Sequence, residues 1–323
     1  MRNLETDFFG SVFQEASMKR MLVLGAGVMA ALLIFAGCAS TSVAGLASSS
    51  DSVGSIKKLA KMLTKDSTNQ EAADVFEEIY NREMTNNLAV IENGTDKILS
   101  DFAASQGKST AKDALAVIVS KLGDRSGDKS PTVMENMDVK KVESRMTELK
   151  AAYYDLMEIQ KAVKNMPEEI GSESVYTVDK SGEDFEKGWT RTSNALADFY
   201  VLCGDSMLPS KGYRDLKNII EIYEKKAYPA YMSYDKSSKC KKTVSKLYIQ
   251  EGDDFLVQAK MSKSNYSAAT DDIEKTASSA SGALEAEAAI IDYRTARSWD
   301  SGADISAKLA DAEELSKFFD ENR

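Results

Sequence analysis

From Ile56 onward, apolar residues recur at helical spacing. Phe76, Tyr80, Met84, Leu88, Ile91, Ile98 and Phe102 fall three, four or seven apart, which predicts a helical stretch from about Asn69 to Ala104 with an interruption at Gly94. Ala114, Leu115, Val117, Ile118 and Leu122 predict a shorter buried helix closed by Gly123. The strongest pattern follows a polar loop at 123–132, a candidate subdomain boundary. Val139, Val142, Met146, Leu149, Tyr153, Leu156, Val163 and Met166 hold a 3-4 spacing for about four heptads, as a long bundle helix or a supercoiled pair would. Pro167 ends it. Helices are then expected at about Asp184–Gly204, Tyr213–Ala227, Thr243–Met261 and Ala268–Arg297, with a last amphipathic piece at Ile305–Phe319. Short turns between successive helices predict an all-α fold of stacked antiparallel helical hairpins, either a bundle or a short α-solenoid.

Composition agrees with a helical reading. Only four prolines occur in 323 residues, and the hydrophobic share of 43% is enough for a sizeable core. The net charge of -10 argues against nucleic acid, whose affinity for a protein comes from neutralised phosphates. Histidine is absent, which removes the commonest metal ligand and the side chain that titrates most readily near neutral pH.

The first 55 residues have a different character. Lys19 and Arg20 precede an apolar run, Met21 to Phe35, and the small residues Ala36 and Gly37, which is the layout of an export signal. Residues 39–55 are small and polar and carry no basic stop-transfer cluster. Met1 to Ser17 fit no part of such a signal, so translation is expected to start at Met18. Phe35-Ala36-Gly37-Cys38 resembles the lipobox of bacterial lipoproteins, with Phe where Leu is usual. The resemblance implies that Cys38 receives a diacylglycerol and an N-acyl chain, and that the chain is cut before it. Residues 1–37 are then a signal peptide, 38–55 a lipidated tether and 56–323 the helical domain. Two or more acyl chains anchor a protein stably where one is marginal. A cell-envelope location follows, with the outer membrane preferred because Ala39 occupies the position at which Asp retains some lipoproteins in the inner membrane.

Two nucleotide-binding patterns fail on context. Gly25-Ala-Gly27-Val-Met-Ala30 matches a dinucleotide fingerprint by letter, but it lies within the apolar signal run and no second strand follows. Gly107-Lys108-Ser109-Thr110 matches the end of a P-loop, yet Phe102 occupies the place of the first glycine. Tyr248-Ile-Gln-Glu-Gly252-Asp-Asp-Phe255, followed by Tyr266-Ser-Ala268 and Ile273, resembles a degenerate tetratricopeptide unit. That resemblance implies paired helices with a concave surface for a peptide or protein.

Cys203 and Cys240 are the cysteines that remain. An even pair in an exported protein is a disulfide candidate, and two buried free thiols are the alternative. Tyr228, Tyr231 and Tyr234 surround Pro229 and form the candidate ligand or partner groove. Lys236, Lys239, Lys241, Lys242 and Lys246 make the one basic run, either a solvated helix start or a contact for acidic headgroups or an acidic partner. Nothing in the pattern supplies an acid/base pair, an activated nucleophile or a metal set. The expected role is therefore non-catalytic, with no cofactor beyond the acyl groups on Cys38: a membrane-anchored adaptor that binds a protein partner. The alternative is a solute-binding component that hands an apolar ligand to a transporter.

Overall fold

A computed structural model describes residues 42–122, 132–180, 184–208 and 213–322. It is all-α: helices pack on helices, and the one sheet among the described residues has two short strands. Cys38 and the 123–131 segment lie outside the described residues. The chain divides into two compact units, Met1–Met84 with Glu158–Ser181, and Thr85–Met157 with Gly182–Arg323. Neither unit is continuous in sequence.

The first unit begins with α1 (Val43–Ala47), α2 (Ser52–Lys65) and the start of α3 (Gln70–Ile91). Residues 38–55 were expected to form a tether, but the chain is helical within this span, from Val43. Ser42 and Asp51 explain why: their side chains accept from the backbone N–H groups of Gly45 and Gly54 at 3.2 and 2.8 Å, capping two helix starts. Ser55 Oγ then donates to the Leu46 carbonyl at 3.0 Å, tying α1 to α2. Val43 and Leu46 join Ile56, Leu59, Leu63, Phe76 and Ile79 in one core. Ile159, Val163 and Met166, from the end of α6 (Met137–Val163) and just beyond, close that core.

A hairpin of β1 (Glu169–Ile170) and β2 (Tyr176–Thr177) follows Pro167. Its loop turns at Gly171, whose φ of 94° suits glycine. The loop is held by Gln70 Oε1, which accepts from the backbone N–H groups of Ser172, Glu173 and Ser174 at 2.7, 2.8 and 3.3 Å.

In the second unit, Gly94 with φ 43° separates α3 from α4 (Thr95–Ser105), so the interruption expected there is a full break. α5 (Ala111–Leu122), α7 (Phe185–Met207) and α8 (Tyr213–Glu221) follow. The 3-4 seam of α6 is buried within the chain at Val139, Val142, Met146, Leu149 and Leu156, which makes it a bundle helix. α8 widens into a π-helical stretch, Ile222–Ala227, just before Pro229. A proline ring clashes with the carbonyl four residues back and donates no hydrogen bond, so the backbone there adopts a wider turn.

α9 (Tyr234–Ala268) and α10 (Asp272–Trp299) form a long antiparallel hairpin, and α11 (Ser306–Glu321) packs against it. α9 starts earlier and ends later than the expected Thr243–Met261. Tyr248 and Ala268 belong to this one helix, so the turn implied between Gly252 and Tyr266 is absent, and the chain reverses at Ala269–Asp271 instead. Close approach depends on small residues. A Cβ at Gly252 would lie 2.8 Å from the Tyr293 ring, and one at Gly282 would overlap the Phe319 ring. Ala259, Ala283, Ala286 and Ala289 fill the seam around them.

Candidate functional site

The tyrosine segment singled out from the sequence lies where α8 hands over to α9. Its residues 231–233 are non-helical, as the proline suggested, and Asn194 of α7 fixes them: its Oδ1 accepts from the backbone N–H groups of Met232 and Ser233 at 2.9 and 3.1 Å. The three tyrosines do not converge. Tyr228 packs edge-on against Trp299, with ring centroids 5.1 Å apart, and Lys241 Nζ sits over its face at 5.4 Å. Tyr231 donates to Asp198 Oδ1 at 2.8 Å. Tyr234 is 85% exposed.

None of the three tyrosines lines the groove nearby, and Tyr231 reaches it through its partner Asp198. Asp198 also pairs with Lys236 at 2.6 Å, and both line an open depression of about 680 Å³ along the first half of α7. Asp184, Glu186, Lys187, Thr190, Arg191, Asn194 and Ala195 complete its lining. Its walls carry both charges and sit one helical turn apart along α7, so the depression suits a polar chain segment better than an apolar solute. Asn194 and Arg191 escaped the sequence reading because a polar residue on an amphipathic helix looks the same whether it faces bulk water or a groove.

Tyrosine–carboxylate–lysine contacts recur through this unit. Tyr200 donates to Glu143 at 2.8 Å, and Lys226 pairs with the same carboxylate at 2.6 Å. Tyr293 donates to Asp253 Oδ1 at 2.8 Å, while Lys308 pairs with Oδ2 at 2.6 Å. Each of these joins three separate segments. Burial raises the pKa of these tyrosines, and the hydrogen bond to a carboxylate raises it further, so they stay protonated donors.

Cys203 and Cys240 are both buried and unbonded, so the structure has two free thiols rather than the candidate bridge. Burial raises the pKa of both, Cys240 to about 11, and Glu143 raises Cys203 further. Neither is a thiolate at neutral pH, and Cys240 instead donates weakly to the Tyr223 carbonyl.

The chemistry the sequence reading missed is a buried acid pair. Glu251 of α9 and Asp292 of α10 are 7% and 9% exposed. Asp292 Oδ2 has no hydrogen-bond partner. Burial lifts Asp292 to about 7, with Glu251 adding to the rise, and burial raises Glu251 as well against the opposing charge of Lys217. A signal existed: Asp292 stands in the apolar row of Ala289, Tyr293 and Ala296. Among the described residues no group of three or more His, Cys, Asp or Glu side chains is arranged to hold a metal.

The outer edge of α10 is apolar as well. Ile273, Leu284 and Ile291 are 81%, 68% and 58% exposed, and exposed Ala277 and Ala280 continue the row at 4-3-4 spacing. Val257 and Met261 are exposed one turn apart on α9. No protein-family model matches the chain, and neither the curated proteins nor the solved structures contain a match.

Proposed function

We propose that this chain is a lipid-anchored adaptor of the cell envelope, non-catalytic, whose helical hairpins bind a protein partner. The observation that carries the reading is the exposed apolar row of α10, from Ile273 to Ile291. A 3-4 row of this kind belongs at a helix–helix contact, and here it faces outward. Burying Leu284 and Ile291 against a partner helix would stabilise a complex by about 1.5–3 kcal/mol for each side chain fully removed from water. The groove along α7 is open and charged, which fits a peptide segment better than a solute carried to a transporter.

The N-terminus bears on where the adaptor works. Helix α1 begins five residues after Cys38, a reach of roughly 17 Å at full extension. With acyl chains on Cys38, the first unit is held at the membrane surface rather than at the end of a long tether.

The test is affinity capture of the tagged full chain from membranes, beside Cys38→Ala and Leu284→Asp/Ile291→Asp chains. The expected result is a specific protein recovered with wild type and lost with the double aspartate chain at unchanged thermal stability. Equal recovery with the aspartate chain overturns the partner reading, and a wild-type chain found free of membranes overturns the anchor.

A further inference from the structure

We propose that the start of α9 is a docking site for an anionic lipid bilayer, a contact separate from both the acyl anchor and the apolar row of α10. Lys239, Lys242 and Lys246 fall at i, i+3 and i+7, so they share one face of the helix, and all three are exposed. None of the three pairs with a carboxylate among the described residues, whereas neighbouring Lys236 is taken by Asp198 and Lys241 lies over Tyr228. Like charges at this spacing repel. Asp235 lies one turn before Lys239, yet no ion pair joins them among the described residues, so a row of like charges on a chain whose net charge is -10 points to an anion outside the molecule.

The apolar neighbours select the kind of anion. Met232 and Tyr234, at the same end of the helix, are 45% and 85% exposed, and Tyr234 lies two turns before Lys242 on one row. Lysines beside an exposed tyrosine and methionine match a surface with phosphate charge outside and hydrocarbon beneath: ammonium groups stay with the headgroups while the aromatic ring enters the interface. An acidic polypeptide would satisfy the lysines and leave the ring and thioether in water.

The experiment compares two full chains, both carrying Cys38→Ala so that no acyl chain contributes: one otherwise wild type, the other with Lys239→Glu, Lys242→Glu and Lys246→Glu. Each is floated with vesicles of phosphatidylcholine, with and without phosphatidylglycerol. The shared N-terminal segment cancels in the comparison, and circular dichroism checks that both fold. The first chain is expected to favour the phosphatidylglycerol vesicles, and the preference to fade in high salt as charges are screened. With about 1 kcal/mol for each lysine near such a surface, the triple change should weaken that preference by on the order of a hundred-fold. Tyr234→Ser should weaken it several-fold, and amide exchange across Met232–Lys246 should slow when vesicles are present. Equal flotation with both vesicle types, or no effect of the triple change, overturns the proposal. So does binding to polyglutamate without binding to vesicles, which would assign the lysines to an acidic protein.

Discussion

Replacing Asp292 by Asn should stabilise the second unit at alkaline pH and leave it nearly unchanged at acid pH. The side chain is 9% exposed, and its Oδ2 meets no donor. Glu251 faces it from α9 with Asp254 beyond, Tyr248 and Tyr293 lie nearby, and Lys217 of α8 is the cation that offsets Glu251. Burial and Glu251 lift the Asp292 pKa from 3.8 to about 7. The folded state therefore holds its proton where the unfolded state has released it. Over that window the folded form binds more protons, so stability falls as pH rises from about 4 to about 7 and stays low above. A rise of that size sets a ceiling of about 4 kcal/mol, at about 1.36 kcal/mol for each tenfold change in proton affinity. Screening by water and the share owed to Glu251 bring the expected gain for Asp292→Asn to about 2 kcal/mol at pH 8. Below pH 4 both side chains are neutral, and the difference should fall within about 0.5 kcal/mol. Urea unfolding followed by tryptophan fluorescence reads this unit directly, because Trp189 and Trp299 both lie in it. A stability difference of the same size at pH 4 and pH 8 would refute the reasoning, since only a titrating carboxylate makes it depend on pH.

The other expectations concern packing and loop capping. Gly282→Ala should lower the melting temperature by an amount equivalent to about 1–3 kcal/mol, because its methyl group would overlap the fully buried Phe319 ring; thermal denaturation checks this, and Gly282→Ala with Phe319→Leu should recover part of the loss. Gln70→Ala should free the amides of Ser172, Glu173 and Ser174 and weaken the hairpin loop by about 1 kcal/mol. Faster hydrogen exchange confined to those amides is the expected signal, and Gln70→Glu should keep them protected.

The helical class was legible along the chain, because the 3-4 recurrence of Val139 to Leu156 or of Phe76 to Phe102 states which side of a helix must leave water. Breaks were legible where backbone chemistry compels them, at Gly94 and Pro167. The two-residue strands were not, since Tyr176 and Thr177 pair only because Ile170 and Glu169 lie opposite them. Residues 42–55 read as a tether because Ser, Ala and Gly hide two apolar contacts, Val43 and Leu46, that matter only once Ile56 and Phe76 are beside them. The candidate groove was half legible: Pro229 marked an interruption, but Asn194, far away in sequence, decides how the segment is held, with Tyr228 on Trp299, Tyr231 on Asp198 and Tyr234 exposed. By itself, then, the sequence determined the helical class, the breaks at Gly94 and Pro167, and which helical faces are apolar. Tertiary structure alone decided which segments share a unit, that Asp292 is buried beside Glu251, and that the row from Ile273 to Ile291 stays exposed. Periodicity records that a face is apolar, and what covers it depends on residues brought together only by folding.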